Sequence, residues 1–169
     1  FFLLDVLSMT AHNFAQNARF WLMKTEPGEC GIDDFLKAPD RTLSWFGVRN
    51  YQARNMIRDE MHAGDGVLFY HSSCREPGIV GLAEVASESY PDRTQFDPSN
   101  PYFDPKSSKE APRWFAVDVR VVAPCGLISI QTLRSDPELA RLIILKRGNR
   151  LSVTPVAPED FERIRTQHM

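Results

Sequence analysis

Residues 113–124 read RWFAVDVRVVAP, and apolar and polar side chains alternate along this stretch. In an extended chain, Asp118 and Arg120 fall on one face, and the opposite face carries Phe115, Val117, Val119 and Val121. A period of two residues is the pattern of a half-buried strand. The segment therefore predicts a sheet with one covered face, and we expect Pro124 to end the strand.

Three further segments are predicted to be strands. RFWLMK at 19–24 and GVLFYHS at 66–72 are short, apolar and rich in aromatic residues, which is typical of buried strands. GIVGLAEVASES at 78–89 alternates, and its shared face carries Ile79, Gly81, Ala83 and Val85. The small residues on that face indicate a tightly curved sheet that another backbone approaches closely.

The helices are predicted to be short. Asn50 is a good N-cap residue, and YQARNMIRDEM follows it. Helical spacing puts an apolar arc on one side, formed by Ala53, Met56, Ile57 and Met61, and a polar arc opposite, formed by Tyr51, Arg54, Asn55 and Arg58. Other predicted helices are GIDDFLK at 31–37, SIQTLRS at 129–135 and PEDFERIR at 158–165. The mixture predicts one α+β domain with a curved or barrel-like sheet.

Residues 91–112, PDRTQFDPSNPYFDPKSSKEAP, carry five prolines together with several Asp, Asn and Ser residues. This composition predicts a long loop. The loop also holds Phe96, Tyr102 and Phe103, and a disordered segment rarely contains so many aromatic residues. We therefore expect an ordered, functional loop.

The N-terminal residues 1–18 are predicted to be a leader, disordered or a misassigned start, with an ordered N-terminal strand or helix as the alternative, and residues 19–165 are predicted to be a single domain. The opening FFLLDVLS lacks a basic region and is interrupted by Asp5, so it does not match a signal peptide. Three widely spaced cysteines, Cys30, Cys74 and Cys125, favour a reducing compartment. We expect a cytoplasmic monomer without a membrane partner, associated with the nucleoid if the organism is a bacterium.

Most constellations of catalytic or metal-ligating residues are excluded by spacing. His71 and Cys74 are three residues apart, so on a strand they point to opposite faces and do not form a nucleophilic pair. The four histidines are scattered, so no metal or other cofactor is expected. KRGNRLS at 146–152 has one glycine, which predicts a basic turn or a phosphate-contacting patch and not a phosphate cradle.

The formal net charge of -2 provides no global attraction to a polyanion, so any nucleic-acid binding has to be local. Aromatic residues with polar neighbours occur near predicted element ends, namely Trp45, Tyr51, Tyr70, Phe103 and Trp114. Rings for stacking beside amide and guanidinium donors are what reading an unstacked base requires. A core rich in Trp and Phe explains the same rings, so the residues alone predict a pocket for a planar ligand or simply a core.

Five segments in order, WLMKTEP, WFGVRNYQARN, GVLFYHSSCREPGIVGLAEV, YPDRTQFDPSNPYFDPKSSKEAPRWFAVDV and KRGNRLSVTPV, closely resemble the EVE domain family. The resemblance covers residues 19–164. It departs at Thr25, where serine is common, and at Phe46, where a small or acidic residue is usual; both changes bear on fine ligand preference. The family implies a PUA-like fold, a small mixed β-barrel of about five to six strands with short flanking helices.

The resemblance also implies non-enzymatic recognition of modified bases, chiefly modified cytosines such as 5-methylcytosine in DNA, with base flipping. The implied pocket consists of Lys24, Thr25, Glu26, Trp45, Arg49, Asn50, Tyr51, Tyr70, His71, Ser72, Arg113 and Trp114. Trp45 or Tyr51 would stack on the base and Asn50 would read its Watson–Crick edge. Contacts to the nucleic-acid backbone are expected from Arg54, Lys146, Arg147, Asn149 and Arg150.

Three alternatives stay open. The first is recognition of RNA, for example modified tRNA. The second is an enzyme acting on a nucleotide or small planar metabolite, with Glu26 or His71 as the base. The third is a protein-interaction scaffold, which predicts an exposed apolar patch and no binding to any base.

Overall fold

The computed structural model describes residues 2–169, with all side chains except those of residues 2, 6 and 8–10. Its helices are α1 (Phe2–Ala11), α2 (Pro27–Cys30), α3 (Ile32–Lys37), α4 (Tyr51–Asn55), α5 (Ile130–Ser135) and α6 (Pro158–Gln167). Its strands are β1 (Phe20–Thr25), β2 (Thr42–Ser44), β3 (Gly66–His71), β4 (Gly78–Val85), β5 (Tyr90–Pro91), β6 (Phe115–Ala116), β7 (Asp118–Ser129) and β8 (Val153–Val156). The α+β class is confirmed.

Six strands form one mixed sheet in the order β2-β7-β4-β3-β1-β8, and β5 pairs with β6 in a small second sheet. β1 and β3 are parallel, and the other neighbours are antiparallel. Although β2 and β8 are opposite edges of the large sheet, Ser44 at the end of β2 and Ser152 before β8 line the same pocket. The sheet is therefore strongly curved, in agreement with the PUA-like barrel that the resemblance implies.

Apolar side chains cover both faces of the sheet. Along β3, Val67 and Phe69 join one core cluster, while Leu68 and Tyr70 join the other. Alternation of side chains along a strand accounts for this division. Across β6 and β7 the predicted covered face is confirmed, because Val117, Val119 and Val121 are buried in the first cluster with Phe115 packed against them.

Two predictions about the strands are wrong, and a bulge explains both. The pairing of β4 with β7 shifts register between Ile79 and Gly81, and Pro124 lies opposite Gly81 there. A proline is tolerated at a bulge, so β7 continues past Pro124 to Ser129. The same shift moves Ile79 to the second core cluster, whereas Ala83 and Val85 lie in the first.

The helix after Asn50 begins as predicted. The Oδ1 atom of Asn50 accepts hydrogen bonds from the backbone N–H groups of Gln52 and Ala53, at 2.9 and 3.1 Å. The predicted apolar arc faces the core, where Ala53, Ile57 and Met61 are buried. From Met56 to Glu60 the turn widens to a π-helix, so the regular α-helix is shorter than the sequence indicates.

The predicted leader contacts the domain. Phe1 lies outside the described residues, whereas α1 packs against β7 and α6. Beyond α1, the His12 ring lies 2.8 Å from Glu84, and Phe14 packs edge-on against Phe161 with ring centroids 5.4 Å apart. Within residues 2–169, no helix combines the length and the apolar character needed to cross a membrane.

Gly78 tests the close approach of β4 to β7. A Cβ atom at this position would overlap the carbonyl oxygen of Ile128. We expect Gly78→Ala to lower the free energy of unfolding by about 1–3 kcal/mol, because the backbone of β7 has to shift. At Gly126, which lies in β7, a Cβ atom would meet nothing within 4 Å, so Gly126→Ala should change the free energy of unfolding by less than about 0.5 kcal/mol. Urea unfolding measures both, and equal effects would contradict the close approach.

Candidate functional site

A pocket of about 340 Å³ opens where β1 ends, between the segment after β2 and the loop before β8. Six of the predicted site residues line it: Lys24, Thr25, Glu26, Trp45, Ser72 and Arg150. The structure adds ten residues that the sequence analysis did not assign to the site: Glu29, Cys30, Phe35, Ser44, Phe46, Gly47, Val48, Ser73, Tyr102 and Ser152. Its volume is within the range of small-molecule sites.

Trp45 forms the rigid floor of this pocket. Its side chain is buried, and its ring packs against Phe35 and Phe69 with centroids 5.8 and 5.1 Å away. The backbone N–H of Trp45 donates to the carbonyl of Val117 at 2.8 Å. Trp45 therefore belongs to the core and also lines the pocket.

Tyr102 and Gly47 form one wall. Gly47 has φ +83°, and a Cβ atom there would lie 2.8 Å from the Tyr102 ring. The hydroxyl of Tyr102 donates to Glu29 Oε2 at 2.7 Å, joining the 91–112 loop to α2. This hydrogen bond, together with burial and the negative charges of Glu29 and Glu26, raises the pKa of Tyr102 to about 12.

Arg49 supports the wall from behind and does not line the pocket. Its guanidinium lies 2.9 Å from Asp92 and donates to Thr94 Oγ1 and the Tyr102 carbonyl at 3.0 and 2.7 Å. Asp92 is buried and also accepts from the Gly47 N–H at 2.8 Å. Burial alone would raise the pKa of Asp92, but the hydrogen bonds from Thr94, Gly47 and Arg49 together lower it.

Lys24 provides a cation inside the pocket. Burial lowers its pKa, and among the described carboxylates none lies within ion-pair distance of it. Glu26 lines the same pocket, so an ammonium group and a carboxylate are both available to a ligand. The hydroxyl of Thr25 donates to the Cys30 carbonyl at 2.7 Å and so helps to hold α2 in place.

Asn50 and Tyr70 are placed elsewhere. The Asn50 carboxamide oxygen caps α4, as described above, and Asn50 is absent from the pocket lining. Tyr70 is buried in the second core cluster, on the face of β3 opposite to Phe69. A register shift between Phe69 and Tyr70 accompanies this placement. Asn50 therefore has a structural role in the helix, and Tyr70 has one in the core.

His71 also has a structural partner. Its Nε2 atom accepts a hydrogen bond from the Ile32 N–H at 3.1 Å, at the start of α3, so the proton of the neutral ring is on Nδ1. Burial lowers the pKa of His71, and the charge of Asp33 opposes this. No hydrogen bond joins His71 to Cys74 in the described structure. Residues 2–169, with the side chains given above, contain no His, Cys, Asp and Glu cluster able to hold a metal ion.

Tyr51, Trp114 and Arg54 form a group outside the pocket. The rings of Tyr51 and Trp114 stack with centroids 4.8 Å apart, and the Arg54 guanidinium lies 4.8 Å from the centroid of Tyr51. Arg54 donates to the carbonyl of Arg113 at 2.6 Å. These three predicted residues therefore lie together, apart from the predicted residues that line the pocket.

The loop 146–150 lies beside the pocket and carries three exposed cations, Lys146, Arg147 and Arg150. Of these, Arg150 lines the pocket. Asn149 orders the loop, because its Oδ1 atom accepts from the Leu151 N–H at 3.2 Å. The backbone N–H of Lys24 donates to the Ser152 carbonyl at 2.8 Å, which fixes the end of the loop to β1.

The contact between His71 and α3 predicts a dependence of stability on pH. Because the folded-state pKa of His71 is lowered, the folded protein takes up this proton less readily than the unfolded chain. The contribution is complete above the ordinary pKa of about 6.5 and is lost as the pH falls through the folded-state value. We expect stability to fall more between pH 7.5 and 5 in the wild type than in His71→Gln, measured by urea unfolding. Equal slopes would contradict the assignment.

Comparison with known proteins identifies relatives of this chain. The EVE domain model matches residues 19–167. Mouse thymocyte nuclear protein 1 is 40% identical over 176 residues, covering 94% of this chain and 77% of its own. A hypothetical protein from Leishmania major has 44% identity and a TM-score of 0.82, with 88% of this chain and 92% of its own covered. The human THYN1 protein in complex with 5-methylcytosine-containing DNA has 38% identity and a TM-score of 0.82, with 88% and 96% covered.

The match covers nearly all of the chain, and these relatives are well above 30% identical over most of their length. Both the fold and the segments that line the pocket lie within the matched residues. The chain therefore belongs to the EVE domain family.

Proposed function

We propose that the pocket binds a single modified base of DNA and does not convert it chemically. Among modified bases, we expect 5-methylcytosine to be the preferred ligand. The observation that carries this proposal is the combination of ring surfaces from Trp45, Phe46 and Tyr102 with the charges of Lys24 and Glu26 in one pocket. Rings provide stacking and the charged groups provide hydrogen bonds to base edges. The DNA complex of the human relative supports the assignment of the ligand.

The hydrogen-bonding groups of cytosine complement the charges of Lys24 and Glu26. Its Watson–Crick edge combines the N4 amino donor with acceptors at N3 and O2, and carboxylates accept hydrogen bonds from cytosine N4. Glu26 would accept from N4, while Lys24 would donate to O2 or N3. Thymine carries an acceptor in place of the amino group, so the carboxylate would repel it. A 5-methyl group would face apolar surface, which Phe46 and Val48 supply.

Contacts to the nucleic-acid backbone next to the pocket would come from the loop 146–150. Lys146, Arg147 and Arg150 are exposed beside the pocket, whereas Arg54 belongs to the outer group with Tyr51. Because the whole chain has a net charge of -2, most of the affinity would depend on holding the base. Flipping a base out of a duplex costs a few kcal/mol, so unpaired targets should bind more tightly.

The other functions predicted from sequence lead to different results. RNA recognition is the alternative within binding, and matched DNA and RNA strands in competition separate the two. Among the residues suggested as an enzymatic base, Glu26 faces the pocket and His71 is hydrogen-bonded to α3. Catalysis would change the mass of the ligand, and this change would disappear when Glu26 is replaced. We also propose that the protein is a monomer and that it is located in the cytoplasm.

The test uses single-stranded oligonucleotides of one sequence that carry cytosine, 5-methylcytosine, 5-hydroxymethylcytosine or thymine at the centre. We expect 5-methylcytosine to bind most tightly in fluorescence polarisation, and its mass to be unchanged after incubation. Lys24→Met should weaken this binding roughly tenfold, because a charged hydrogen bond contributes about 1.5–3 kcal/mol. The variant should stay folded, because Lys24 has no ion-pair partner among the described residues.

Lys37→Met is the matched control, since Lys37 is exposed at the end of α3 and does not line the pocket. It should bind like the wild type. Equal affinity for cytosine and 5-methylcytosine would contradict the proposed ligand. Loss of binding in both lysine variants alike would show that the effect comes from overall charge and not from the pocket. Trp45→Ala is unsuitable as a control because it would remove part of the core.

A further inference from the structure

A series of rings and guanidinium groups leads from the pocket to the surface. The Arg49 guanidinium lies 5.4 Å from the ring centroid of Tyr102, which lines the pocket, and 5.4 Å from that of Trp114. Trp114 stacks on Tyr51 with centroids 4.8 Å apart and planes 26° apart. Successive contacts thus connect the pocket wall to an exposed ring.

The support beneath Tyr51 is rigid. Trp114 is buried, its indole N–H donates to Asp104 Oδ2 at 2.7 Å, and its backbone N–H donates to Gln95 Oε1 at 3.0 Å. Arg49 is held by Asp92, as described above. Because these neighbours are fixed, the plane of the Tyr51 ring is defined before any ligand arrives.

The outer face of Tyr51 is open. The side chain is 51% exposed, although one face of the ring rests on Trp114. The Arg54 guanidinium is 4.8 Å from Tyr51 and 6.0 Å from Trp114. If Arg54 covered the opposite face of Tyr51, its distance from Trp114 would be close to twice 4.8 Å. Arg54 therefore lies beside Trp114, and neither group covers the outer face.

Positive charge accompanies the open ring. Arg54 donates to the Arg113 carbonyl and to Asn55 Oδ1, and no described carboxylate lies within ion-pair distance of it, although the charge of Asp59 acts on it from farther away. An exposed aromatic face next to a cation outside any close ion pair complements a nucleotide, which combines a flat base with a negative phosphate. An apolar peptide would leave the charge of Arg54 without a partner.

We propose that the outer face of Tyr51 is a second stacking site, which binds a base that neighbours the one in the pocket, while Arg54 contacts its phosphate. The proposal rests on the proposed function, because the strand that reaches Tyr51 is the one whose modified base the pocket holds. The protein would then contact one DNA strand at two places, the pocket and the outer face of Tyr51, and Arg49 lies between them. This arrangement favours unstacked, single-stranded or distorted DNA over a regular duplex.

The experiment places 2-aminopurine, a fluorescent base that is quenched on stacking, at each of three positions on either side of a central 5-methylcytosine in single-stranded DNA. In the wild type, we expect strong quenching at one flanking position. Tyr51→Leu keeps the apolar volume but removes the ring, so the quenching at this flanking position should be lost. Tyr51→Phe keeps the ring and should retain the quenching. Phe103→Leu is the matched control, because Phe103 is also an exposed ring, 37% accessible, and makes no described ring contact.

Affinity provides a second readout. Tyr51→Leu should bind the oligonucleotide about tenfold more weakly, within the range measured for loss of one base–aromatic stack. It should bind the mononucleotide 5-methyl-dCMP as tightly as the wild type, since a mononucleotide has no neighbouring base. An equal loss for oligonucleotide and mononucleotide would overturn the second site, because Tyr51 would then act through the shape of the pocket. Quenching that persists in Tyr51→Leu would also overturn it.

The two proposals fail separately. If the wild type binds cytosine and 5-methylcytosine equally but shows quenching that depends on Tyr51, the pocket assignment fails and the second stacking site stands. If 5-methylcytosine is selected but no flanking position is quenched, the pocket assignment stands and the second site is excluded.

Discussion

The ion pair between Arg49 and the buried Asp92 is the interaction on which the pocket depends. Asp92 lies at the start of the long 91–112 loop, and it also accepts a hydrogen bond from the Gly47 N–H, so it fixes this loop to the segment that follows β2. Arg49 then positions Tyr102 through its carbonyl oxygen. Breaking such a pair leaves a buried charge uncompensated, at a cost of about 3–5 kcal/mol. The position of Tyr102 and Gly47 in the pocket wall therefore depends on the ion pair between Arg49 and Asp92.

Local patterns predicted most of the framework. Alternation identified the covered face of β7, and the N-cap and apolar arc identified the helix after Asn50. β2 and β8 were not predicted, because three- and four-residue strands show too few alternations and Pro155 interrupts β8. The extent of β7 beyond Pro124 depends on a bulge opposite Gly81. A bulge is set by the pairing of two distant strands, so neither strand reveals it alone.

The structure brings six of the predicted site residues together in one pocket, and three that it places elsewhere share one cause. Asn50 and His71 have side chains suited to reading a base, yet each satisfies a backbone N–H at a helix start, and the ring of Tyr70 fills the core. Sequence shows which groups can form hydrogen bonds but not which of them the fold already uses. Tyr102 was noted only as one ring of the 91–112 loop, because its neighbour Gly47 is 55 positions away in sequence. The positive φ of Gly47 and the ring above it explain why glycine is needed there.

The proposed function requires a modified base to lie against the rings of the pocket. NMR can detect this placement on a single-stranded oligonucleotide whose 5-methylcytosine carries a ¹³C-labelled methyl group. On binding, we expect an upfield shift of the methyl resonance and nuclear Overhauser effects to ring protons of Trp45, Phe46 or Tyr102. A complex in which the methyl resonance stays at its free position, without contacts to these rings, would contradict this placement of the base.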